Sequence, residues 1–176
     1  MKNVNILGIS GSLRTDSTNT LILKTLADFF PDHITFQIFE GLDAIPHFSP
    51  GLPENEAVIK FKTAIRKADG VIICTPEYAF GMPGTLKNAL DWTVSTGDLN
   101  DKPVSAISAS PLNTGGDKAL ASLLLTLTAL GILRNDASSL SIPNIKLKIN
   151  DLRQIADMPT LNALEAQCTN LLKIIR

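Results

Sequence analysis

The segment Gly8-Ile9-Ser10-Gly11-Ser12-Leu13-Arg14-Thr15-Asp16-Ser17-Thr18-Asn19 is crowded with groups that bind an anion. Ser10, Ser12, Ser17, Thr18 and Asn19 offer hydroxyl or amide donors, and Arg14 offers a charge-assisted fork suited to a phosphate dianion. A short apolar run, Val4 to Ile9, precedes the segment and a helix-like pattern follows it. At such a strand-to-helix turn, unpaired backbone N–H groups and the positive end of the helix dipole favour negative charge. Gly11 permits the tight turn. GxxxxGK(S/T) is absent and Gly8 and Gly11 stand three apart, which does not fit GxGxxG, so triphosphate and dinucleotide readings lose ground. The same residues also suit a plain helix cap at Ser17 or Thr18.

Two further loops bear on that choice. Thr75-Pro76-Glu77-Tyr78-Ala79-Phe80-Gly81-Met82-Pro83-Gly84 follows another apolar run and has a backbone fixed by two prolines and two glycines. A rigid loop with Tyr78 and Phe80 can wall an aromatic ring system while its amides reach ring heteroatoms. The third loop, Ser108 to Gly116, again leaves a strand and opens a helix, with backbone N–H groups at Gly115 and Gly116 available to the edge of a pyrimidine-like ring. In an open α/β sheet, ligands sit beyond the carboxyl ends of the strands where the winding direction switches, so the three loops are expected to share one crevice.

The elements that would hold these loops alternate along the chain as five β–α pairs, the pattern of a parallel sheet wrapped by helices. Strands are expected at Val4–Ile9, Thr35–Phe39, Gly70–Thr75, Pro103–Ser110 and, weakly, Leu133–Ser141. Helices are expected from Ser17 or Thr18 to Pro31, Glu54 to Lys67, Gly84 to Val94, Gly116 to Leu130 and Leu161 to Ile175. Five leucines between positions 120 and 127 imply a helix buried on more than one face, and Gly131 fits its C-terminal cap. The stretch Gly41 to Pro53, with three prolines, reads as a surface excursion of the kind that often borders a site. Trp92, at the end of its helix, suits either the core or a subunit interface. No linker or repeat interrupts residues 1–176, and a single domain is expected.

Composition narrows the function classes. A net charge of −1 with no block of like charges gives no long-range attraction for nucleic acid or anionic lipid, so neither is expected as a partner. Cys74 and Cys168 lie outside any metal or disulfide spacing and suit a reducing compartment. Val4–Ile9 is too short for a signal or membrane segment, which points to a cytoplasmic protein. His33 and His47 carry no supporting pattern, and no catalytic or metal-binding role is assigned to either.

Taken together, GSLRTDSTN at Gly11–Asn19, TPEY at Thr75–Tyr78, PGTLKNALDW at Pro83–Trp92, KPV at Lys102–Val104 and the glycine pair at Gly115 resemble the NADPH-dependent FMN reductases of the flavodoxin-like superfamily. The resemblance implies a three-layer α/β fold with a five-stranded parallel sheet in the order 2-1-3-4-5. It implies FMN as cofactor, NADPH or NADH as reductant, and ping-pong hydride transfer to small acceptors such as quinones, azo compounds, free flavin or metal oxyanions. By the same resemblance, Ser10, Ser12, Arg14, Ser17, Thr18 and Asn19 would hold the phosphate. Pro76, Glu77, Tyr78, Ala79, Phe80 and Gly81 would line the isoalloxazine, and Ser110 and Gly115 would bound its far edge. The flavin would carry the chemistry with no catalytic side chain, in a homodimer or homotetramer. Family members usually have Asn or His after PEY, where this chain has Ala79. The alternative is a flavodoxin-type electron carrier or flavin-binding module without its own NAD(P)H activity, although carriers are usually more acidic than this chain.

Overall fold

Every residue of the strands β3 (Gly70–Thr75) and β4 (Val104–Ala109) is buried, as the centre of a sheet covered on both faces requires. β1 (Val4–Ser10) lies beside β3, β2 (Ile34–Ile38) forms one edge and β5 (Ser139–Ile142) the other. The structure is a computed structural model that describes residues 3–175. Its five strands form one parallel sheet in the expected order β2-β1-β3-β4-β5. The chain therefore reverses its winding between β1 and β3, and the first and second loops leave adjacent strands at the same end.

Alternate strand residues feed two cores. Leu7, Ile9, Val71, Ile73, Val104 and Ala106 face α2 (Glu56–Lys67), α3 (Gly84–Asp91) and α4 (Asp117–Ala129). Ile6, Ile72, Cys74, Ile107 and Ala109 face α1 (Thr18–Ala27) and α5 (Met158–Ile174). Each buried aliphatic side chain contributes about 1.5–3 kcal/mol relative to exposure, so the β3–β4 centre is the most firmly held part of the molecule. Among the described residues, no helix is long and apolar enough to cross a membrane.

The structure corrects several sequence expectations. The fifth strand is short: Leu133 makes only an isolated bridge to Pro103, and a 3₁₀ turn at Asp136–Ser138 interrupts the run before Ser139. Asn135 and Ser138 cap that turn reciprocally, local bonding that outcompetes a ladder. Gln167 of α5 fixes the detour by donating to Ala137 O at 2.8 Å. α5 starts at Met158 because Asp157 caps it, accepting from Thr160 N at 3.0 Å with Pro159 in the first turn. α4 buries one face through Ala119, Leu123 and Leu127, while Leu125 is 75% exposed. The Gly41–Pro53 excursion is tied to α3, with Asn88 accepting from Phe48 N and Trp92 donating to Pro46 O. Trp92 is thus a core residue.

At the opposite end of the sheet from the three loops, Lys102 of the KPV motif donates to Ala68 O at 2.6 Å. Burial lowers its pKa, with Asp69 and Asp98 acting against that shift. Both cysteines are free and buried. Burial pushes the Cys74 thiol far above the usual cysteine range and the Cys168 thiol up to about 12, so neither forms thiolate near neutral pH. A thiol-reactive chromophore is expected to label no cysteine in the folded protein and both after denaturation; rapid native labelling would show that the β3 core opens.

Candidate cofactor cleft

Beyond the last β1–β3 pair, the ladder gains one more bond, from Gly11 N to Cys74 O at 2.8 Å. This lays the first loop directly on the end of β3. A Cβ at Gly11 would stand 3.0 Å from Leu86 Cδ2, 3.1 Å from Thr75 Oγ1 and 3.4 Å from Pro76 Cδ, so glycine is what lets the first and second loops meet. Where they meet, Ser12, Arg14, Ser17, Thr18, Asn19, Pro76, Glu77, Tyr78 and Ser110 line one cleft of about 220 Å³. Arg14 and Tyr78, which the sequence places 64 positions apart, share it.

The donors of the first loop are set by a short hydrogen-bond chain. Ser17 Oγ caps α1 by accepting from Asn19 N at 3.1 Å and Thr20 N at 3.4 Å, and Ser12 Oγ accepts from Arg14 N at 3.4 Å. Cys74 Sγ donates to Asn19 Oδ1 at 3.3 Å, which leaves the Nδ2 end of that amide as the donor for the cleft. The Arg14 side chain forms no ion pair among the described residues. Ser10 is the one predicted first-loop residue outside the cleft lining. Its hydroxyl accepts from Thr20 Oγ1 at 3.0 Å, braces the loop against Ser12, and faces a neighbouring cavity with Leu13, Glu40 and Asp43.

Glu77 joins the second loop to the third. α4 begins after Gly116, whose φ of 80° is left-handed and which has no side chain to cap the helix. The Glu77 carboxylate, 41 residues away in sequence, does it instead, with Oε2 accepting from Lys118 N and Ala119 N, both at 3.0 Å. This is a charge-assisted cap at the positive end of a helix dipole. Gly115 is buried outside the cleft: its N–H donates to Leu112 O and its carbonyl accepts from Ser108 Oγ, so the free backbone donor expected there is already used. A Cβ at Gly115 would lie 2.5 Å from Ser141 Oγ.

Ala79, Phe80 and Gly81 also stand outside the cleft lining. They form the tip of a tight turn closed by Tyr78 N to Gly81 O at 2.9 Å and Gly81 N to Tyr78 O at 3.0 Å. Both central residues are left-handed, Ala79 at φ 47° and Phe80 at φ 60°, the geometry of a type I′ turn without its favoured Asn-Gly. The turn holds Phe80 80% exposed and Tyr78 51% exposed beside the cleft mouth.

Ala109, Pro111, Ile145 and Lys146 complete the lining and are absent from the sequence-based set. The last two follow β5 on a 3₁₀ turn, Ile145–Lys148, in a stretch with no periodicity to reveal it. The only available signal is a charge just past the carboxyl end of a strand. The chain then makes a hairpin-like turn bridged by Ile149 and Ile155, and Arg153 donates to Asp16 O at 3.2 Å, clasping the tip of the first loop.

The NADPH-dependent FMN reductase family matches residues 4–146 of the chain, a span containing every residue of the cleft lining. The chain belongs to this family. It is 33% identical over 137 residues to an NAD(P)H-dependent FMN reductase of Pseudomonas aeruginosa, covering 74% of this chain and 72% of the relative. A quinone reductase of Escherichia coli is 30% identical over 178 residues, covering 96% of this chain and 93% of the relative. Among solved structures, a flavoenzyme NAD(P)H:(acceptor) oxidoreductase from Paracoccus denitrificans superposes with a TM-score of 0.87 at 26% identity, covering 98% of this chain and 97% of that one. As an FMN reductase, the protein is an oxidoreductase that works with FMN and NAD(P)H, and the electron-carrier alternative is not favoured.

Two stability effects follow from the cleft. Glu77→Ala removes the cap of α4 and is expected to cost about 1–2 kcal/mol, a melting temperature lower by roughly 2–8 °C, with Glu77→Gln recovering most of it. Equal melting temperatures for Glu77→Ala and the parent would show that the cap carries no weight. Phe80→Gly relieves a left-handed non-glycine residue and is expected to stabilise by about 1 kcal/mol, readable as a higher denaturation midpoint. A lower midpoint would mean that the exposed ring packs against something in solution.

Proposed function

We propose that the cleft is the FMN site of the reductase, with the phosphate at the first loop and the ring system against Pro76 and Tyr78. The donor set fits a monophosphate: hydroxyls from Ser12, Ser17 and Thr18, the Asn19 amide and the Arg14 guanidinium, which has no ion pair among the described residues, lie around the start of α1. The one carboxylate among the lining residues, that of Glu77, is engaged by the amides of α4 and does not oppose an anion at the other end. The observation that carries the reading is that Arg14 and Tyr78 line a single cleft.

Bound FMN supplies hydride acceptance and donation, so the chain needs no acid, base or nucleophile of its own. Its residues position and enclose. Arg14 fixes the phosphate through a planar fork, and the prolines on either side of the 78–81 turn hold the second loop in shape. The exposed rim at Tyr78 and Phe80 then receives NAD(P)H and a small acceptor in turn, in a ping-pong cycle. Quinones and azo compounds are the acceptor classes supported by the relatives, which include a quinone reductase and an NADPH azoreductase. Free flavin and metal oxyanions complete the proposed range. We assign all of this to one domain, since its five strands lie in a single sheet. The two free cysteines suit the cytoplasm. The resemblance to the family also leads us to assign assembly as a homodimer or homotetramer.

FMN titration of the apoprotein tests the assignment directly. Arg14→Ala is expected to weaken FMN binding by about tenfold or more, the worth of a charge-assisted hydrogen bond, with the circular dichroism spectrum unchanged. FMN affinity equal to that of the parent would overturn the assigned cradle.

A further inference from the structure

Lys146 lies outside the three loop motifs, yet it lines the same cleft as Arg14, Ser12, Ser17 and Thr18. Its backbone is held in place. Asn144, in a left-handed conformation at φ 52°, donates its N–H to Leu112 O at 3.0 Å. Ile145 donates to Ser110 O at 3.1 Å and buries its side chain in the core shared by α1 and α5. The turn that carries Lys146 is therefore fastened to the third loop at two successive residues. The first loop is clasped from the same segment by Arg153.

The charges in this cleft do not balance. Arg14 and Lys146 are its two cationic lining residues, and neither forms an ion pair among the described residues. Glu77, the one acidic lining residue, gives its carboxylate to the amides of Lys118 and Ala119. Both residues are exposed at the cleft, so a doubly charged anion bound there would meet two cations and a carboxylate that is already engaged. We infer that Lys146 is a second cationic contact for the phosphate of the bound coenzyme, supplied by the β5 turn. This inference rests on the reading of the cleft as the FMN site. The two cations have different work: the Arg14 fork sets orientation, whereas a lysine ammonium on a flexible stem adds charge. Lys146 thus raises affinity and association rate in a way that salt weakens, and it favours the phosphorylated flavin over riboflavin.

The test is titration of apoprotein with FMN and with riboflavin, followed by flavin fluorescence, for the parent, Lys146→Gln, Lys146→Arg and Arg14→Ala. For Lys146→Gln the expected result is FMN binding weaker by about three- to tenfold at low salt, a gap that narrows at about 0.5 M salt. Riboflavin affinity and melting temperature stay unchanged, and Lys146→Arg keeps most of the FMN affinity. Unchanged FMN affinity in Lys146→Gln, with clear loss in Arg14→Ala, overturns the inference and leaves the FMN cleft standing. Unchanged affinity in both variants overturns the cleft as well. Equal losses for FMN and riboflavin make Lys146 a structural residue and overturn the inference. A raised KM for NADPH alone, with FMN affinity intact, assigns Lys146 to the reductant and also overturns it.

Discussion

The hydrogen bond from Gly11 to Cys74 continues the β1–β3 ladder past the end of both strands, and the cleft is a consequence of that extension. Adjacent parallel strands end side by side, so the loops that leave them must either splay or pack. Here the lack of a side chain at position 11 lets them pack, with Thr75, Pro76 and Leu86 filling the space a Cβ would need. The polar first loop and the proline-fixed second loop become the two walls of one cleft. Because β3 is buried along its whole length, the wall inherits the rigidity of the core instead of the mobility usual for loops.

A second tie closes the remaining side. α4 starts at a left-handed glycine and receives its cap from Glu77 of the second loop. One carboxylate satisfies two orphan amides and fixes the third loop against the second, which engages the one acidic side chain that lines the cleft. Family membership and these ties agree on the kind of protein this is. The redox chemistry belongs to the coenzyme, and the fold contributes placement.

The fold was readable where periodicity and punctuation agreed. The apolar runs at Val4–Ile9 and Gly70–Thr75 and the cap at Ser17 all lie within one or two residues of the elements observed. The fifth strand is shorter than its sequence predicts because Asn135 and Ser138 bond to each other and not to a neighbouring strand, a local competition that an apolar count does not register. Site legibility followed the same division. Residues on the strand-to-helix turns, such as Arg14 and Asn19, meet in the cleft, since their position follows from topology. Ser10 and Gly115 lie outside the cleft lining, with hydrogen-bonding groups that brace the loops through nearby partners, Thr20 and Ser12 for Ser10 and Leu112 and Ser108 for Gly115. Lys146 was invisible because only the tertiary arrangement brings the β5 turn to the cleft.

The turn at Tyr78–Gly81 is sealed by two bonds between its own ends, and its apex points into solvent. What sits at the apex is therefore decoupled from the residues that line the cleft. A substitution at position 79 or 80 changes the exposed rim while leaving the residues that line the cleft in place. The rim and the cleft can therefore be altered independently of each other.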